Sequence, residues 1–228
     1  MDAITFGEAI ANLQSLSPEI IQACLETAQM LSIGLASAIL LGGPLGIWLY
    51  LSQPGQLFAN RVVNAVLGWF VNLVRSFPFI ILLVTLGPVT RILAGSTIGP
   101  FAAAVPLSFA AVPYFARLVE QTLREIPRGV VEAAEAMGAG PLRIIVSVLL
   151  NEARSGLISA LTILTISFLS YSAVAGVVGG GGIGDLAIRY GYYRFQTEVM
   201  VAMVLLLVAI VQLIQFAGNR LAARLDKR

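Results

Sequence analysis

Residues 131–156 read VEAAEAMGAGPLRIIVSVLLNEARSG. Glu132, Glu135, Arg143, Glu152 and Arg154 crowd into this stretch, and Gly138, Gly140 and Pro141 break it in the middle. Its surroundings are very different. The 228-residue chain is 58% hydrophobic and only 11% charged, with a mean hydropathy of +0.90, whereas a soluble domain carries roughly 25% charged residues. A soluble protein with a large core would show apolar runs of about 10–14 residues, and a membrane span needs about 20. The long uncharged runs here point to an all-α, polytopic membrane protein with a charged insert.

Charge-free runs mark the spans. Thr27 to Asn60 holds no Asp, Glu, Lys or Arg. The first span is placed at about 27–51, with Trp48 and Tyr50 suited to the interface and a kink at Pro44. The second covers about 62–86 and contains one charge, Arg75; the third, about 98–116, contains Pro106 and Pro113. The fourth runs over about 156–178 and ends at GGGGIG (179–184), and the fifth lies at about 199–217. Five spans put the termini on opposite sides. Arg61, Arg117, Arg124, Arg128, Arg143, Arg154, Arg220, Arg224, Lys227 and Arg228 fall on one side, and Arg91, Arg189 and Arg194 on the other. The positive-inside rule makes the first side cytoplasmic, so the N-terminus is expected outside and the C-terminus inside. Residues 1–26 lack a basic region and carry Asp2, Glu8, Glu19 and Glu26. They read as an outer-face lead-in rather than a cleavable signal, leaving 27–228 as the transmembrane domain.

Composition also excludes chemistry. There is no histidine and one cysteine, Cys24, so neither a Ser-His triad nor a Cys-rich metal site can form. The single lysine, Lys227, precedes Arg228, and a phosphate-binding loop needs Gly-Lys-Ser/Thr. The chain is not expected to hydrolyse nucleotide, to act as an enzyme or to hold a metal or cofactor. Its scattered arginines give no nucleic-acid footprint.

The charged stretch reads as helix, tight turn, helix. Val130, Val131, Ala134 and Met137 share one face, with Arg128, Glu132 and Glu135 on the others. Pro127 suits the first turn and Gly138 the left-handed position after the last. Pro141 can open a second helix. An interfacial amphipathic helix is one reading. Against it, the polar face is acidic and anionic lipid would repel it; a groove on another protein suits it better.

The spacing resembles the EAA loop of ABC-importer permeases: Glu132-Ala133-Ala134, three residues, Gly138, nine residues, Val148, one residue, Leu150. Asn151 stands where that pattern has proline. RSFPFIILLV (75–84), TRILAGSTIG (90–99), FARLVE (115–120), SYSAVAG (170–176), GGGIG (180–184), RYGYYRF (189–195) and LIQFAGNR (213–220) are similar to the methionine-importer branch of that family.

The resemblance implies a type I importer permease fold with five spans, working as a homodimer in the bacterial inner membrane. Two copies would enclose one alternating-access path for methionine, L- and also D-, or for another amino acid. The loop at about 127–151 would be the coupling helix, with Glu132, Ala133, Ala134, Glu135, Met137 and Gly138 docking on two separate ATPase subunits that bind ATP and magnesium. A substrate-binding lipoprotein would dock outside. Ser170, Tyr171, Ser172 and Val174 would lie along the path, Val174 as a gate. Arg75 is read as a pathway residue or as a structural group beside the Pro78 break. An ion-coupled transporter is the competing class, but Arg75 has no acidic partner in the expected spans and no inverted repeat is visible.

Overall fold

The computed structural model describes residues 6–226; Asp2, Lys227 and Arg228, used above to orient the chain, lie outside them. Every regular element among the described residues is helical. After α1 (Phe6–Ser15), α2 runs without interruption over Ser17–Leu51. It begins ten residues before the expected span and passes straight through the 26/27 boundary. Gln22, Cys24 and Thr27 are small or uncharged enough to continue the helix, and Glu19 favours its N-terminal end. A π-turn, Ala38–Gly42, sits immediately before Pro44, where it accommodates the missing N–H.

α3 (Arg61–Ser76) starts at Asn60, whose side chain accepts from Val62 N and Val63 N at 3.1 Å. The second span was expected as one helix over 62–86. Instead it breaks at Ser76–Pro78, and α4 (Phe79–Thr85) leaves at 98°. Pro78 has no N–H and drives Phe77 out of the helical region, to φ −75°, ψ 128°. α5 (Gly87–Ala94) follows and ends at Gly95, φ +73°. α6 (Pro100–Arg124) absorbs both internal prolines and extends eight residues beyond the expected end at 116, carrying Arg117, Glu120 and Arg124 on its last turns.

α7 (Arg128–Ala136) is the short charged helix. α8 then runs over Pro141–Gly180, 40 residues, and leaves helical geometry only near its end, at Val178 (φ −105°) and Gly179 (φ +91°). The sequence reading separated a second short helix from a span at 156–178; the structure makes them one. Asn151 is the reason on the sequence side, because the backbone keeps a donor where proline would remove one. At 1.5 Å per residue α8 is about 60 Å long, against the roughly 30 Å hydrocarbon core. α9 (Gly182–Leu186) passes into a π-turn, Ala187–Tyr192, and α10 (Thr197–Leu225) closes the chain.

The chain divides into two compact units. One gathers Met1–Gly34, Phe79–Leu107 and Ser167–Leu213; the other Leu35–Pro78, Ser108–Ile166 and Ile214–Arg228. The first has a core of Leu16, Ala23, Ile183, Leu186, Val199 and Met203. In the second, Leu49, Val71 and Ala116 meet, and Gly42 and Gly46 allow the close approach: a Cβ on Gly42 would lie 2.5 Å from Val112 O, and one on Gly46 would overlap Ala116 O. Large apolar side chains remain outside, among them Leu40, Trp69, Val84, Ile92, Leu205 and Phe216. Such a surface is stable in lipid and not in water.

Candidate functional site

α7 presents its charges outward. Glu132, Ala133, Glu135 and Ala136 are exposed, Val130 and Val131 are half-buried, and Ala134 is buried. Met137, expected on the same face as Val130, Val131 and Ala134, is 81% exposed instead. It lies past the last helical residue, where the chain has already begun to turn. Gly138 makes that turn at φ +76°. Its N–H donates to Glu135 O at 2.8 Å and that of Ala139 to Ala134 O at 3.0 Å, which satisfies the final carbonyls of α7. A Cβ at Gly138 would meet nothing within 4 Å, so glycine is needed there for its backbone, not for space. The underside of α7 packs on the π-turn Ile144–Leu149 of α8, where Ile144 and Leu149 are buried. The result is a short helix with an exposed acidic face, held by one left-handed residue to the base of a 40-residue helix.

Close to α7 in the chain, a polar cluster occupies the end of α6. Glu120 is 1% exposed. Its Oε1 accepts from Arg124 Nη2 at 2.6 Å and Gln53 Nε2 at 2.7 Å, and its Oε2 is paired with Arg117. Arg117 Nη2 also donates to Asn72 Oδ1 at 2.8 Å, and Arg124 Nε to Gln53 Oε1 at 3.1 Å. From sequence these arginines are only loop charges, and nothing in the apolar pattern marks Glu120. The Arg117-x-x-Glu120-x-x-x-Arg124 spacing was the available signal, since i, i+3 and i, i+4 pairs share a helix face. It became meaningful only once α6 was known to continue past 116.

The residues expected along the path are placed differently from one another. Ser170 is exposed and Val174 is half-buried. Tyr171 stacks on Phe79, ring centroids 4.8 Å apart and nearly parallel, and leans on Phe168 at 5.0 Å. Ser172 is 2% exposed and donates to Leu169 O at 2.8 Å, so its hydroxyl is turned into its own helix. Arg75 stands in the last turn of α3, with its guanidinium 5.5 Å from the Tyr114 ring centroid.

The glycine run at 179–184, at which the fourth expected span ends, is tightly held. Gly182 N donates to Glu26 Oε2 at 2.7 Å, Ile183 N to Thr27 Oγ1 at 3.0 Å, and Gly99 N to Gly179 O at 2.9 Å. A Cβ on Gly181 would lie 2.5 Å from Glu26 Oε2, and one on Gly182 2.6 Å from Thr27 Oγ1. The following loop exposes aromatic rings: Tyr192, Tyr193 and Phe195 are each more than 60% exposed, and Arg194 stacks over Tyr190 at 4.4 Å.

Residues 42–228 match the family of binding-protein-dependent transport system inner membrane components. The chain belongs to this family. It is therefore a permease subunit of an ABC transporter in the bacterial inner membrane, and a transport component rather than an enzyme. Among curated relatives it is 45% identical over 203 residues to the probable D-methionine transport system permease protein MetI of Vibrio cholerae, covering 89% of this chain and 90% of that one. It is 46% identical over 138 residues to the D-methionine transport system permease protein MetI of Escherichia coli, covering 60% of this chain and 64% of that one. Among solved structures, a chain of the MetNI methionine ABC transporter in an inward-facing conformation superposes with a TM-score of 0.91 at 42% identity, covering 93% of this chain and 99% of that one. A chain from an amino acid ABC transporter solved with histidines shares the fold at 17% identity and a TM-score of 0.75.

Proposed function

We propose that two copies of this permease enclose one alternating-access path for methionine, driven by a separate ATPase pair. The observation that carries the mechanical part is the α7–α8 junction. A chain with no nucleotide loop needs a handle through which another protein can move it. α7 offers an exposed acidic face, and its underside is fixed to α8 by Ile144, Leu149 and the Gly138 turn. Glu132, Ala133, Glu135 and Met137 dock in a cleft of the ATPase, while Ala134 and Gly138 hold the docking surface at its angle. ATP and magnesium are bound by the ATPase and no cofactor by this chain. When the two ATPases close on ATP, the handles approach and the continuous α8 carries the displacement into the membrane.

In this reading α7 and the C-terminus are cytoplasmic and the N-terminus lies outside, as the arginine distribution requires. A substrate-binding lipoprotein delivers the amino acid at the outer face, beside the exposed Tyr192, Tyr193 and Phe195. Ser170, Tyr171 and Val174 line the path along α8, and membrane lipid covers the remaining apolar faces. Ser172 is buried within its helix bundle and acts there as a packing residue. The D-methionine permeases of Vibrio cholerae and Escherichia coli support methionine as the substrate.

The test is reconstitution. Proteoliposomes holding the permease with its ATPase and binding protein accumulate labelled L- and D-methionine only when ATP and magnesium are supplied to the ATPase side. Accumulation driven by an ion gradient without ATP would overturn the reading.

A further inference from the structure

The loop between α2 and α3 lies against the first turn of α7, all within one compact unit. Gln53-Pro54-Gly55-Gln56 is a tight turn: Gln56 N donates to Gln53 O at 3.1 Å, and Gly55 takes φ +82°. Proline second and glycine third suit a type II turn. The Arg128 guanidinium lies over the α-carbon of Gly55, where a Cβ would be 4.0 Å from both Nη1 and Nη2.

The turn is anchored on both flanks. Asn60 N donates to Ser52 O at 2.9 Å and Phe58 N to Leu51 O at 3.1 Å. Asn64 of α3 donates to Leu49 O at 2.8 Å and to Ser52 Oγ at 3.1 Å, and Ser52 is buried. Gln53 donates to the buried Glu120 and accepts from Arg124. Ser52 and Gln53 thus tie the turn to α3 and α6 at once.

Arg128 is badly placed for the stability of its own helix. A cation in the first turn faces the positive end of the macrodipole and weakens the helix. It forms no ion pair among the described residues. What it does is lay its guanidinium on the anchored turn. The other end of α7 is already held by Gly138, and its underside by Ile144 and Leu149. A short helix held at one end pivots; held at both, it moves only with the elements that hold it.

We propose that Gln53 and Arg128 are positioning residues for coupling. Gln53, locked by Glu120, keeps the Pro54–Gly55 turn against Arg128, so that a displacement of α7 is shared with α2, α3 and α6 as well as with α8. This rests on the reading of α7 as the docking handle, and it gives the handle a second attachment, on helices other than α8.

Hydrogen exchange of the detergent-solubilised permease reads the attachment. Gln53→Leu keeps the bulk of the side chain and leaves Glu120 its two arginines. Helical amides 132–136 of α7 should exchange about fivefold faster in this variant, the factor for one hydrogen bond of ordinary strength, with amides of α10 unchanged. Arg128→Ala separates the proposal from helix stability by sign. Helix propensity and the macrodipole alone would slow exchange in α7; loss of the attachment speeds it. The double variant should match Arg128→Ala, because the turn then has no hold on α7 left to lose. In proteoliposomes of the complete transporter, methionine imported per ATP hydrolysed should fall at least about twofold in each single variant, the lower end of what residues remote from either ligand do to coupling.

Unchanged α7 exchange in Gln53→Leu, or slower exchange in Arg128→Ala, would overturn the attachment. Faster exchange with the wild-type import ratio would overturn its part in coupling. Failure of the wild type to import on ATP overturns the import reading instead, and the exchange arm still judges the attachment. Should Gln53→Leu fail to fold, Arg128→Ala, at an exposed position, decides by its sign.

Discussion

Gln53 Nε2 donates to Glu120 Oε1 at 2.7 Å across 67 positions of chain, tying the loop after α2 to the last turns of α6. Glu120 is 1% exposed and also receives Arg124 and Arg117. Removing one partner of a buried ion pair leaves uncompensated charge, which costs about 3–5 kcal/mol when both partners are buried. Arg124 is half-exposed here, so Glu120→Ala is expected to cost about 2–3 kcal/mol after allowing for solvent screening. Thermal unfolding of the detergent-solubilised permease should show the drop in Tm. Glu120→Gln, which keeps hydrogen bonds to Gln53 and one arginine, should lose about half as much. Equal stability of wild type and Glu120→Ala would mean that the cluster is idle.

Gly138 adopts φ +76° with open space around its α-carbon. Gly138→Ala meets no neighbour and pays only for the left-handed backbone, about 1 kcal/mol. Its complex should retain most of its transport. Gly138→Pro cannot reach positive φ and loses the N–H that donates to Glu135 O. The permease should still insert and dimerise, while transport falls at least tenfold and the ATPase runs without substrate stimulation. Measuring uptake and ATP hydrolysis on the same proteoliposomes separates the two variants; normal coupled transport by Gly138→Pro would count against α7 as the docking handle.

The glycine run makes a third case. Glu26 and Thr27 on α2 accept from consecutive N–H groups at the start of α9, and the carboxylate also favours the positive end of that helix. A hydrogen bond to a charged group contributes about 1.5–3 kcal/mol, so Glu26→Ala should free residues 179–184 locally rather than unfold the protein. Hydrogen exchange of the Gly182 and Ile183 amides should accelerate by at least tenfold, with amides of α10 unchanged. Glu26→Gln should fall between the two.

What the sequence made legible follows from what each signal depends on. Four apolar helices, or five with the bent pair at Pro78, were readable because the bilayer imposes length on apolar runs, and the short charged helix was readable because Pro127, Gly138 and Pro141 obey local helix-end rules. Helix ends were not, because α6 and α8 continue past the apolar stretch into polar turns that hydropathy cannot see. Glu120 was missed for that reason. The bend at Pro78 was visible as a residue but not as 98°, since a proline inside α6 produces no comparable break and only the surrounding packing tells the two apart. The Glu26 contact joins positions 156 residues apart, and no local pattern reports it.

Asn151 offers the last test. The EAA pattern that residues 132–150 resemble has proline at this position, and here the helix runs on from Pro141 through Asn151 to Ala175 without a break. Proline at 151 would remove an N–H from the ladder and press its ring on the preceding turn, at about 3 kcal/mol in a helix interior. The π-turn Ile144–Leu149 just before it already offers a loosened ladder, as the π-turn before Pro44 does in α2. Asn151→Pro is therefore expected to cost less, about 1 kcal/mol, because the turn can take up the lost bond. A fall in Tm matching the full helix-interior penalty would show that the π-turn does not take up the lost bond and that α8 tolerates no joint at its base. A small fall with coupled transport retained would show that the joint is permitted, because the π-turn at Ile144–Leu149 already loosens the ladder before it.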